Sequence, residues 1–230
     1  MPVYSGDSRL KDVIIHDFTV IPLINRFGIF LGVGDETIGE ICVGHGIDTG
    51  FFLSILNTYL KDDYTPQIEW EKWDLKETVD FLRKTNQYYT QTLLPTIECH
   101  FRMLYERSRH QKNNISYLWS FFKELKDELE ARIEIDEKIW FPALMNQSVQ
   151  DGCKCSLNGI PTDESVIEDK VNDLVSFFVM HLKGEYDHNL CMGTVTSVST
   201  LDKEIKKYNR IRQKILRPLT FSLIDNEKTR

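Results

Sequence analysis

Apolar residues recur every three or four positions along most of the chain, and the strict alternation of a half-buried strand is almost absent. Three early stretches predict short helices: Leu10 to Arg26, DETIGEICVGH at 35–45 and DTGFFLSILNTYL at 48–60. Asp35 and Asp48 stand where N-caps belong, because a carboxylate there accepts the free amides of the first turn. The polar segment DDYTPQ at 62–67 reads as a linker. Four longer helices are predicted beyond it. The first covers about 75–109, with Val79, Leu82, Tyr89, Leu93, Ile97 and Leu104 on one side and a kink at Pro95. The second covers about 116–144. A third, about 162–183, opens on a Ser165–Glu168 capping box and stops at Gly184. The last covers about 192–224. Amphipathic helices of this length bury their apolar stripes against one another, so the expected fold is all-α. It places an antiparallel four-helix bundle at 68–230 behind a small N-terminal domain of short helices at 1–62.

The periodicity is interrupted in two related places. RIEIDEKIWFP at 132–142 and YNRIRQKILRP at 208–218 share Ile, Lys, Ile and Pro at the same four places. Their first, fourth, fifth and eighth places make one helical stripe. In one copy that stripe is Arg132, Ile135, Asp136 and Ile139; in the other it is Tyr208, Ile211, Arg212 and Ile215. Bundles hold cofactors and metals at such inward polar positions. The competing reading rotates both helices and leaves the charges on the surface.

RIEIDEKIWFP resembles the second-helix motif of hemerythrin-like domains, in which a His and a Glu or His four residues on precede Phe-Pro. YNRIRQKILRP falls at the fourth-helix place. KTNQYYTQTLLP at 84–95 is similar to the first-helix phrase, and TDESVIEDKVNDL at 162–174 to the third. FGIFLGVGDETIGEICVGHGID at 27–48 resembles the small domain preceding the bundle in the iron–sulfur cluster repair di-iron family. The resemblance implies that Asn86, Arg132, Asp136, Glu164, Tyr208 and Arg212 occupy the family's di-iron ligand positions. Gly32 and Val33 would take the place of its paired cysteines. Iron sites need imidazoles and carboxylates, whereas guanidinium offers no lone pair and stays positive. No metal or other cofactor is therefore expected. An ion network among these side chains, whose charges sum to zero, is expected instead.

Composition narrows the remaining classes. The chain has 230 residues, 41% hydrophobic and 27% charged, as in ordinary globular proteins. A net charge of −7 gives no footprint for nucleic acid or anionic membrane. The longest apolar run, Leu174–Leu182, is broken by Ser176 and His181 and is too short for a bilayer. No apolar leader opens the chain, and the cytoplasm is the expected location. Five scattered cysteines do not read as a disulfide framework; Cys153 and Cys155 form a lone C-x-C pair without zinc-site partners. His100 is the one histidine on the Asn86 face that could join a relocated metal site. No catalytic motif emerges: GVGDETIG at 32–39 lacks the strand and the Gly-Lys-Ser/Thr of a phosphate loop. Three functions stay open. One is a metal-free binding or regulatory module with an unknown protein or small-molecule partner. Another is the resemblance's own role, a di-iron protein of cluster repair, oxygen or nitric oxide handling and stress response. The third is a haem-binding bundle using Tyr208 or a histidine as axial ligand.

Overall fold

A computed structural model describes residues 3–67, 73–147 and 165–219. Their regular structure is helical throughout, apart from single-residue bridges between Arg9 and Thr37 and between Asn113 and Gly184. The all-α expectation holds. No described helix is long and apolar enough to cross a membrane.

The chain divides into two compact units, one of residues 1–84 with 207–230 and one of residues 85–206. In the first unit, the helix expected over 10–26 is two helices, α1 (Leu10–His16) and α2 (Val20–Arg26). Pro22 explains the break: in a continuous helix its ring would strike the carbonyl four residues back, so it sits in the first turn of α2 instead. Asp17 closes the gap by accepting the Thr19 amide at 2.8 Å. The next helix, α3 (Ile38–His45), is capped by Thr37 and not by Asp35. Thr37 and Glu40 satisfy each other's amides in a capping box. Asp35 pairs with Lys11 and Arg9. α4 (Thr49–Leu60) begins as expected, with Asp48 accepting the Phe51 amide at 2.7 Å. Phe27 is the hub of this unit's core, edge-on to Phe51 and Phe52 and stacked on Phe81. Phe81 lies on α5 (Leu75–Tyr88). Residues after 206 join the same unit: Arg210 bonds the carbonyls of Thr58 and Tyr59 at 3.1 and 3.2 Å. Lys214 reaches those of Asp62 and Tyr64.

In the second unit α6 (Leu94–Ser108), α7 (Ile115–Ile135), α9 (Ser165–His181) and α10 (His188–Ile211) supply the long helices. A short helix, α8 (Phe141–Gln147), lies between α7 and α9. Lys126 of α7 pairs with Glu98 of α6 at 2.6 Å. α7 and α9 are antiparallel, since Lys170 pairs with Glu128 near one end and Asn114 bonds His181 and Lys183 at the other. His100 and Ser197 tie α6 to α10 at 3.0 Å. Phe101 stacks on Phe122 and touches Trp119 and Phe178 between them. α9 ends before Gly184, as expected. That glycine has φ +88°, and a Cβ there would lie 1.8 Å from the Lys112 carbonyl oxygen. Residues 162–164 and the Ser165 side chain lie outside the described residues, and so do residues 220–224 of the predicted last helix.

Candidate functional site

The kink expected at Pro95 is a π-helical turn. π1 (Tyr89–Leu93) follows α5 directly and passes the chain to α6. Two more such turns obey the same rule: π2 (Asp136–Trp140) after α7 and π3 (Arg212–Leu216) after α10. Each is closed by an amide reaching back five residues, from Leu94 to Tyr89, Phe141 to Asp136 and Arg217 to Arg212. Each is followed, one residue later, by proline: Pro95, Pro142 and Pro218. Proline has no amide for the carbonyl four residues back, and its ring would clash with that carbonyl in an α-helix. The wider turn accommodates the ring. π turns inside α-helices are frequent at functional sites.

Aligned on the prolines, the phrase occurs three times. TNQYYTQTLLP at 85–95, read from the sequence only as a first-helix phrase, is the third copy; it shares its final Pro with both others, and Asn and Leu besides with the last. Its spacing to Leu-Pro was the available signal. The first places hold Thr85, Arg132 and Tyr208, exposed at 1%, 8% and 5%. The fifth places hold Tyr89, Asp136 and Arg212, all fully buried. Every copy thus presents a polar pair, one helical turn apart, to the interior.

The expected stripe is corrected in one respect. Arg132 and Asp136 are buried, but their apolar neighbours Ile135 and Ile139 are exposed at 40% and 64%. The buried face of this stretch runs through Leu129, Ile133, Trp140 and Phe141. The large Trp140 and Phe141 rings take the inward places of this stretch and leave Ile139 outside. In the last helix Ile211 and Ile215 stay buried beside Tyr208 and Arg212. The surface-charge reading of these groups is overturned.

In the second unit, Asn86 is buried and its amide donates to Glu137 at 2.9 Å, joining α5 to π2. Tyr89 donates to the main-chain carbonyl of Glu204 at 3.0 Å. Glu204 is 3% exposed, a buried carboxylate that sequence reasoning missed because it lies among solvated charge pairs. His100 is half-buried and engaged with Ser197, which itself donates to the carbonyls of Gly193 and Thr194. In the first unit, the Arg212 guanidinium donates to the Tyr208 hydroxyl at 3.2 Å and lies 5.3 Å from that ring's centre.

Gly32 and Val33 lie in the loop before α3, and Gly32 has φ +100°, a conformation that strains any side chain. A cysteine would be strained there. Cys42 and Cys191 are buried free thiols, and burial pushes both thiols above their ordinary range, which keeps them protonated and poor as ligands or nucleophiles. Glu164, Cys153 and Cys155 lie outside the described residues.

The donor set does not fit a pair of iron ions. Arg132 and Arg212 bring two buried cations with no lone pair, and Asn86 and Tyr208 are neutral. Among the described residues no three His, Cys, Asp or Glu side chains gather as a metal site. Comparison with models of known protein families, with curated proteins and with solved structures finds no match to this chain.

Proposed function

We propose that this protein is a hemerythrin-like bundle in which buried charged and hydrogen-bonding side chains stand at the metal-binding places. Its role on this reading is that of a non-metal binding or regulatory module, with an ion-pair network where the family keeps iron. The observation that carries the proposal is the burial of Arg132, Asp136 and Arg212 at 8%, 0% and 0% exposure, in α7 and in the π turns that follow α7 and α10. Charge inside a helix packing is costly, and several kcal/mol per ion is a usual effective penalty, on the order of a domain's whole stability. Chains tolerate that cost where charges offset each other. Within the second unit, the buried Arg132 has buried carboxylates of opposite charge in Asp136 and Glu204.

The same arithmetic disfavours a di-iron centre, because two guanidiniums would repel the cations that the carboxylates attract. The test is the iron content of the chain purified after expression in iron-rich medium, read by elemental analysis together with the visible spectrum. Iron far below stoichiometry and a spectrum without oxo-iron or haem bands are expected. Near-stoichiometric iron held by this chain's side chains overturns the reading and returns cluster repair to the front.

A further inference from the structure

We propose that the trough between α7 and α9 binds a small organic cation, an ammonium group carried on an apolar body. A cavity of about 330 Å³ opens there, within the range of small-molecule sites. Its floor is Leu118 and Leu174, both buried; its walls are the half-buried rings of Phe121 and Phe177, with the exposed ring of Tyr117 at the rim. Two carboxylates, Glu124 and Asp173, complete it.

The register of the two helices puts those carboxylates at one level. Glu128 of α7 pairs with Lys170 of α9, and Asn114 bonds His181 and Lys183. In an antiparallel pair so aligned, position 124 falls opposite position 173, one turn along from the Glu128–Lys170 bridge. At that next turn the fold supplies a second carboxylate in place of a lysine. Among the described residues neither Glu124 nor Asp173 has a hydrogen bond or an ion pair. The nearby cations are committed elsewhere: Lys170 to Glu128, Lys126 to Glu98, and Lys123 over the Trp119 ring at 5.5 Å.

Like charges facing across a groove repel, and a cation between them turns that repulsion into attraction. Aromatic walls favour the same guest, since ring faces attract ammonium groups. The apolar floor selects an ammonium that brings hydrocarbon with it, in preference to a hydrated metal ion. The site uses none of the buried polar residues at the π turns, so it stands or falls separately from the function proposed above.

Titration calorimetry of the full chain with 2-phenylethylammonium chloride tests this, against sodium chloride at equal ionic strength. The neutral isostere 2-phenylethanol is the control for shape. Saturable binding of the amine is expected, with the alcohol weaker by about tenfold or more. The double variant Glu124→Gln/Asp173→Asn keeps shape and loses both charges. Both side chains are exposed, so an unchanged melting midpoint is expected along with about a tenfold loss of amine affinity. Phe177→Leu, which removes a ring from the wall, gives a second and independent loss. Equal binding of amine and alcohol, no binding of the amine, or undiminished affinity in the double variant each overturns the proposal.

Discussion

Tyr208 and Arg212 show what a buried polar pair contributes at the scale of single residues. The guanidinium is fully buried and receives a neutral acceptor one turn away. Arg212→Ala removes the charge and leaves a cavity, and a loss of about 3–5 kcal/mol is expected. Arg212→Met preserves volume without the charge. Because replacing a buried ion by an apolar isostere is often neutral, its loss should be under about 2 kcal/mol. Urea unfolding of both variants separates cavity from charge; equal losses would mean that the guanidinium's polar contacts dominate. A second residue-scale case concerns pH. The Thr37 amide and hydroxyl donate to Glu40 and hold its carboxyl below its ordinary range. A depressed folded value means that the contribution is complete above the ordinary carboxylate pKa. It disappears as pH falls through the lower, folded value. Glu40→Gln keeps both capping bonds possible but cannot titrate. Its acid unfolding limb should be shallower than that of the natural chain, with stability near neutral pH little changed.

The π turns govern the elements. Each fits one extra residue into a helix while keeping the residues beyond it on their buried face. Deleting Lys138, an exposed residue inside π2 that pairs with Glu134 at the surface, should convert the turn to α-register. A cost of about 1–2 kcal/mol is expected. Deleting Lys123, an exposed residue inside α7, instead turns everything after it by about 100° and should abolish cooperative unfolding. Comparable losses in the two deletions would show that the π turn is not an insertion. These turns also mark where periodicity stops being legible. A 3.6-residue repeat found α5, α6, α7, α9 and α10 and the polar places at 132, 136, 208 and 212. It put Ile135 and Ile139 inside along with Ile211 and Ile215, because a repeat read from residue types does not tell which of two like stripes has larger rings, here Trp140 and Phe141, to fill the inward places. It took Leu10 to Arg26 as one helix because apolar spacing survives the Pro22 break. Asp35 lost the cap to Thr37 because the reciprocal partner, Glu40, lies three residues after Thr37. The trough at Glu124 and Asp173 was invisible for another reason: facing positions on two helices depend on their register, which no local pattern encodes.

At the scale of the whole molecule, the unit that holds the first 84 residues is discontinuous and includes the chain from 207 onward. Its closure relies on a few long side chains. Arg210 donates to the carbonyls of Thr58 and Tyr59, which as the last turn of α4 have no amide ahead of them in the helix, and it pairs with Asp62. Lys207 lies 4.1 Å from the centre of the Tyr59 ring and donates to Thr19. Tyr59 in turn donates to the Thr19 carbonyl at 2.8 Å. Each bond to a charged donor contributes about 1.5–3 kcal/mol. Arg210→Ala should therefore release the end of α4 locally before it lowers global stability. Hydrogen exchange reads this directly: amides of residues 55–61 should exchange about tenfold faster, a factor corresponding to about 1.4 kcal/mol of local opening. Protection in α7 and α9 should be unchanged, because that unit contains none of Arg210's partners. If protection at 55–61 stays at the natural level, the C-terminal stretch does not close the first unit. If instead protection falls uniformly in both units, the chain opens as one cooperative body.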